Sequence, residues 1–269
     1  MINLLIWSKD RACQLDLLLG SLPQGYFDVD VLFKVSNDDF DRGYTLLKSK
    51  YPNVNFIREA VFHVQTMDCL AKAKYENKTI CVSTDDTVFY RHPNLKWYEI
   101  SDLITEEVCT FSFRYGLNTT LQNHNTGEIQ PSLNIYEDNH THIRWRFDNY
   151  HPLHNYGYPF GLDMHVYDGD LLFQLAQNIE FNNTNQLESG LFQYTNVVPR
   201  IVCAEKISTA VNIPCNNMSG ITLGGQQYPF DVEYLNRMFL EGYTINLEPI
   251  QKLEFNSCHF EIPLELIKS

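Results

Sequence analysis

The sequence predicts an α/β fold, a single domain with a mostly parallel central sheet flanked by helices. Three observations lead there. Short apolar runs alternate with amphipathic stretches through residues 1–90, the rhythm of parallel strands joined by helices on both sheet faces. The 269 residues are 44% hydrophobic and 20% charged, ordinary proportions for a globular chain. No internal repeat, linker or charge block divides them, so residues 1–269 read as one domain.

The elements follow in order. Residues 2–7 read as a buried strand opening into a loop at 8–11. Residues 14–22 read as a helix because Leu15, Leu18, Leu19 and Leu22 share one face. A second strand at 29–35 ends at Ser36-Asn37-Asp38-Asp39, and a helix at 42–50 is closed by Tyr51-Pro52-Asn53. Residues 55–57 give a short third strand, 66–74 a helix, and 79–83 a fourth strand. Right-handed crossovers put the strand ends on one rim, so 8–11, 38–39 and 85–86 are expected to converge. Residues 109–114 read as a strand. Residues 117–154 are polar, rich in Asn and His and weakly periodic, and are expected to form a long loop that carries function or is partly disordered. A strand at 158–167, a helix at 169–177, a helix start at 188–194 and an amphipathic helix at 232–241, ended by Gly242, complete the chain.

Charge and cysteines exclude several classes. The net charge of −13 argues against a nucleic-acid partner, which needs a basic face, and equally against a polybasic membrane patch. No run approaches the length of a transmembrane helix, and the apolar start is interrupted by Lys9, Asp10 and Arg11. The seven cysteines are odd in number, widely spaced and without a CxxC, the usage expected of reduced thiols in the cytoplasm.

The most informative segment is Thr79-Ile80-Cys81-Val82-Ser83-Thr84-Asp85-Asp86-Thr87-Val88-Phe89. An apolar strand ends at two adjacent carboxylates. In an open α/β sheet that end lies at the ligand crevice. Two carboxylates there can hold a divalent cation, which in turn holds a diphosphate. The other reading is a polar turn after a buried strand. Ser8, Lys9, Asp10 and Arg11 lie between the first strand and first helix, a standard place to cradle a nucleotide. Lys9 and Arg11 also read as solvated surface charges.

The chain resembles glycosyltransferases of the GT-A fold, especially small bacterial and large-DNA-virus enzymes. The resemblance rests on Trp7-Ser8-Lys9-Asp10-Arg11 with Gln14-Leu15, on the acidic segment above, and on Ser112-Phe113-Arg114-Tyr115-Gly116-Leu117-Asn118-Thr119. It continues through Tyr158-Pro159-Phe160-Gly161-Leu162-Asp163-Met164-His165, Asn185-Gln186-Leu187-Glu188 and Cys258-His259-Phe260-Glu261, spanning nearly the whole chain. It implies transfer of a sugar from a nucleotide diphosphate donor, expected to be a UDP-sugar, to a glycan or glycoconjugate hydroxyl, with Mn²⁺ or Mg²⁺. Residues 1–90 would then be the nucleotide-binding half and 91–269 the acceptor-binding and catalytic half. The common acidic motif of the family is Asp-x-Asp, whereas here it is Thr84-Asp85-Asp86.

Residue roles follow from that resemblance. Asp86 maps to the metal ligand and Asp85 to a contact with the donor ribose or sugar. His259 maps to a late metal ligand, against the alternative that a lone histidine holds no metal. Glu188 maps to the base that takes the acceptor proton in an inverting displacement. The alternative is a capping glutamate, since Asn185 and Glu188 have capping-box spacing. Asp163 competes for the base role. Set among apolar residues of the expected strand, it is otherwise expected to hold donor or acceptor hydroxyls. His165, two residues on, would face the same side. Asp38 is placed to accept a hydrogen bond from uracil or ribose, or is a solvated loop residue. Arg114 is placed to pair with the diphosphate or an acidic acceptor, or forms a structural ion pair. Trp145 is expected to line the acceptor site. The histidines at 140, 142, 151 and 154 lack regular metal spacing.

Two other functions share parts of this pattern. A nucleotidyltransferase also needs a nucleotide-binding α/β half and a divalent cation, but usually carries a glycine-rich phosphate loop, and residues 8–12 contain no glycine. A non-catalytic carbohydrate-binding protein needs less than this convergence of carboxylates and basic residues.

Overall fold

The computed structural model describes residues 1–77, 79–215 and 230–268. β1 (Ile2–Lys9) leads into α1 (Ala12–Ser21), β2 (Phe27–Lys34), α2 (Asp38–Lys50), β3 (Asn55–Arg58) and α3 (Phe62–Lys72). A π turn over Ala73–Asn77 precedes β4 (Thr79–Thr84), β5 (Thr87–Phe89), α4 (Trp97–Leu103) and β6 (Val108–Ser112). The segment expected as a long loop instead forms β7 (Leu121–Asn123), β8 (Glu128–Ile129), β9 (Ile135–Asp138) and β10 (His142–Arg146). Then come β11 (His165–Asp168), α5 (Gly169–Ala176), α6 (Thr184–Phe192), β12 (Ile201–Glu205) and β13 (Ala210–Asn212). α7 (Val232–Leu240), β14 (Tyr243–Ile245), α8 (Leu247–Gln251) and β15 (Leu266–Lys268) complete the described chain.

Nine strands make one sheet in the order β3-β2-β1-β4-β11-β6-β12-β10-β9. Only β11 and β10 run against the rest, so the sheet is mostly parallel. β1 shows why both faces are covered. Ile2, Leu4 and Ile6 enter one apolar cluster with α1, α2 and α7, while Leu5 and Trp7 enter a second with α3, α5 and α6. Alternate side chains of a strand point to opposite faces, so a strand apolar throughout demands a layer on each side. No described helix is long and apolar enough to cross a membrane.

Topology builds the rim. The chain runs outward from β1 to β2 and β3, then returns to place β4 on the other side of β1, so the strand order reverses between them. Trp7 pairs with Thr84, setting the ends of β1 and β4 side by side. β11 is antiparallel to both β4 and β6, with His165 opposite Val82 and Ser112. An antiparallel strand starts where its parallel neighbours end. The loop before β11 therefore meets the loops after β4 and β6.

Several expectations are corrected. The strand expected over 158–167 shrinks to β11, because Met164 takes a left-handed φ of 51° that breaks the extended run. Asp163 thus lies in a loop, and the alternation rule does not apply between it and His165. Gly161 allows the loop to close, since a Cβ there would stand 2.7 Å from the His165 ring. The helix expected to start near 188 begins at Thr184, capped by Asn183, whose side chain accepts from the Gln186 N–H. Glu188 is therefore in the second turn and is not a cap. Trp145 is fully buried, its Nε1 donating to the Tyr156 carbonyl, and does not line a site. The amphipathic helix at the end matches expectation and is terminated by Gly242 at φ 85°.

Candidate active site

Asp85 anchors one side of the rim. Its carboxylate accepts from the Ser8 hydroxyl at 2.7 Å, the Lys9 N–H at 3.3 Å and Arg11 Nη1 at 2.9 Å. It is buried, which pushes its pKa up, while Arg11 and the Ser8 hydrogen bond oppose that shift. Both oxygens accept from residues 8–11, so Asp85 braces the β1 loop. Lys9 contributes its backbone here and leaves its side chain exposed.

Asp86 stands further out, with 17% of its side chain exposed. It accepts from Thr84 Oγ1 at 2.8 Å, Asn212 Nδ2 at 3.1 Å and Arg11 Nη1 at 3.4 Å. The same Thr84 hydroxyl also contacts Asp163. One hydroxyl carries one proton, so it can donate to only one of the two carboxylates. Thr84 thus bridges Asp86 and Asp163, each of which also pairs with an arginine.

Arg114 is the hub of the other side. Its Nε donates to the Asp163 carbonyl at 2.8 Å and its Nη1 to Asn212 Oδ1 at 2.6 Å, and its guanidinium pairs with the Asp163 carboxylate at 3.5 Å. Nη1 also lies 3.3 Å from His259 Nε2. A guanidinium cannot accept, so that nitrogen is the acceptor and the imidazole is neutral. Burial, with Arg114 adding to it, takes the His259 pKa down to about 4. Burial alone would raise the Asp163 pKa, but the Arg114 charge and hydrogen bonds from Thr84 and Asn212 outweigh it and hold the acid below its ordinary range. The Asp163 backbone carbonyl also accepts from His165 Nδ1 at 2.9 Å.

Glu188 of α6 completes the cluster. The Leu162 N–H and the Tyr158 hydroxyl donate to its carboxylate. Burial, then the charge of Asp163, lifts its pKa to about 7 against the opposing pull of Arg114. A carboxyl so placed is ready to take a proton near neutrality.

The structure therefore joins Ser8, Arg11, Asp85, Asp86, Arg114, Asp163 and His259 in one connected network, with Glu188 close enough to feel the charges of Asp163 and Arg114. It leaves three expected side chains aside: that of Lys9, which points to solvent, and those of Asp10 and Asp38. Asp10, at φ 59°, turns its buried carboxylate onto the Ser36 N–H at 2.7 Å and hydroxyl, tying the β1 loop to the end of β2. Asp38 is exposed in the first turn of α2 and, among the described residues, shares no hydrogen bond with the cluster. Thr84, Asn212 and Tyr158 belong to the cluster but were not assigned roles from sequence. Thr84 and Tyr158 lie inside quoted motifs. Asn212 carries no local signal.

The residues are compatible with Mn²⁺ or Mg²⁺ in one respect only. Asp86 offers a part-exposed hard oxygen, and such cations are commonly held by one or two carboxylates plus substrate phosphates. Among the described residues, no three His, Cys, Asp or Glu side chains form a closed metal set.

No protein-family model matches the chain. A curated relative, the bifunctional glycosyltransferase pgtA of Dictyostelium discoideum, is 29% identical over 184 residues, 62% of this chain. Those residues span 24% of that protein, so this chain matches about a quarter of its length. Two solved 4-diphosphocytidyl-2C-methyl-D-erythritol synthase structures, one from Anaerococcus prevotii, are each 13% identical and cover 89% of the chain. The chain covers 96% and 98% of them at TM-scores of 0.41 and 0.38, and that likeness carries no argument about function.

Proposed function

We propose that the protein is a metal-dependent glycosyltransferase of the GT-A type, moving a sugar from a UDP-sugar to a glycan hydroxyl with inversion. The observation that carries the reading is the meeting of Asp86, Asp163, Arg11 and Arg114 where β1 and β4 end, with the Glu188 carboxyl, raised to about 7, next to Asp163. Similarity to part of a glycosyltransferase supports it.

Glu188 takes the proton of the acceptor hydroxyl as its oxygen attacks the anomeric carbon. The bond from that carbon to the diphosphate oxygen breaks, and the diphosphate leaves with the electron pair. Asp163, fixed by Arg114 and Thr84, holds sugar hydroxyls in line. Arg11 faces the place where the diphosphate charge grows. The charges favour one further cation, since among the described residues Asp85, Asp86 and Asp163 pair with Arg11 and Arg114, and a diphosphate adds more negative charge. A divalent ion on Asp86 would supply that balance to the leaving group.

A thermal-shift screen of nucleotides and nucleotide sugars, with and without Mn²⁺, tests this, because a ligand of the native state raises the melting temperature. The expected result is a Mn²⁺-dependent rise with UDP or a UDP-sugar, lost in Asp86→Ala. A rise with nucleoside triphosphates alone would favour a nucleotidyltransferase.

A further inference from the structure

The outer side of α6 carries a second feature. Between α6 and the turn that follows α5 lies an open hollow of about 630 Å³. Asn182, Asn185, Ser189 and Gln193 line one wall, and Asn178 and Glu180 stand opposite. Asn185 and Ser189 share one face of α6, four residues apart, while Asn182 precedes the helix and Gln193 caps its end. Ile179 and Gly190 make the floor. A Cβ at Gly190 would stand 2.3 Å from Ile179 Cγ2, so glycine is what lets the helix settle onto the turn.

The wall is polar without being spent. Gln186 is occupied, its Oε1 accepting from the Asn182 N–H at 2.7 Å. The side chains of Asn182, Asn185, Ser189 and Gln193 make no hydrogen bond to the described protein. Carboxamides and a hydroxyl both donate and accept, as do the hydroxyls of a sugar. No Lys, Arg or His lines the hollow, and Glu180 repels anions, so phosphates and nucleotides are disfavoured. Tyr194, half-buried against the core, stands at the edge of the hollow. The volume lies within the range of about 300–1,000 Å³ that encloses small ligands.

We propose that this groove binds a neutral oligosaccharide, at a site separate from the carboxylate cluster. The groove presents these groups whether or not the cluster transfers a sugar.

The test is an amide NMR titration of the full chain with lactose, cellobiose, N,N′-diacetylchitobiose and maltotriose, without nucleotide or metal. At least one saccharide is expected to shift resonances of residues 178–194. Ser189→Trp, which fills the groove from an exposed position, is expected to abolish the shifts. The double variant Asn185→Ala/Gln193→Ala is expected to weaken them, and it decides the matter if the tryptophan variant does not fold. The assignment is overturned if none of the four sugars perturbs these residues, or if the shifts survive the folded variants. It is equally overturned if a neutral Gly-Ser peptide binds there and the sugars do not. Because no donor is present, failure here leaves the transfer reading standing, and failure of the transfer reading leaves the groove standing.

Discussion

At the scale of single residues, the proposed chemistry turns on how two acids within the field of the same arginine are driven apart. Asp163 gains more from Arg114 and its hydrogen bonds than it loses by burial, so it stays ionised. Glu188 loses more by burial, and the neighbouring Asp163 charge adds to that loss. Divergent environments of this kind are how paired carboxyls acquire different roles. Turnover should therefore fall as pH drops through about 7, as Glu188 is protonated, and a kcat/KM profile would show this acid limb. Glu188→Gln should lower turnover by roughly a hundred- to ten-thousand-fold and remove the limb. The same shift has a stability consequence of fixed sign. The folded value lies above the ordinary 4.5, so the contribution of Glu188 to stability is full below pH 4.5 and is lost as pH rises through about 7. Glu188→Gln should then be more stable than the parent at pH 8, by up to about 3 kcal/mol, with the gap closing towards pH 5. Equal denaturation midpoints at both pH values would remove the buried, shifted carboxyl from the account.

At the scale of elements, legibility followed the length of the apolar signal. The first four strands and three helices are readable because β1, β2 and β4 carry apolar runs such as Leu4-Leu5-Ile6-Trp7, Val31-Leu32-Phe33 and Ile80-Cys81-Val82, and the helices between them carry apolar faces. Their convergence followed from handedness, but the direction of each side chain did not. Asp10 sits in a left-handed turn and swings to Ser36, which no spacing announces. The later strands were misread for a related reason. β9 and β10 are short, with polar residues such as Glu137 and Arg144 on the outer strands, so their alternation was hidden. Asn212 joins the cluster only because β13 pairs with β5, a long-range contact with no local pattern. Trp145 gives a measurable form of this lesson. It fills the core beneath β10, so Trp145→Ala should cost about 3–5 kcal/mol in denaturant unfolding. The folded fraction should keep the KM for acceptor. Unchanged stability with a raised acceptor KM would return Trp145 to the binding surface.

At the scale of the whole molecule, the site belongs to neither half of the chain alone. Residues 1–90 supply Ser8, Arg11, Thr84, Asp85 and Asp86, and the later chain supplies Arg114, Asp163, Glu188, Asn212 and His259. The sheet is divided in the same way. β4 needs β11 on its open edge, β5 needs β13, and the cluster under β1 includes Phe111, Met164, Leu235 and Phe239. A fragment ending at residue 90 would expose the edge of β4 and half of that core, which leaves too little burial to offset the entropy of ordering the chain. The expected outcome is that fragment 1–90 shows no cooperative melt by circular dichroism and no Mn²⁺-dependent response to UDP. The full chain should unfold in one transition that nucleotide moves as a unit, since a ligand held by both halves stabilises the state in which they are packed together. A fragment that melts cooperatively and binds UDP would make the first ninety residues an independent nucleotide module. The later chain would then serve only to add acceptor recognition and the base.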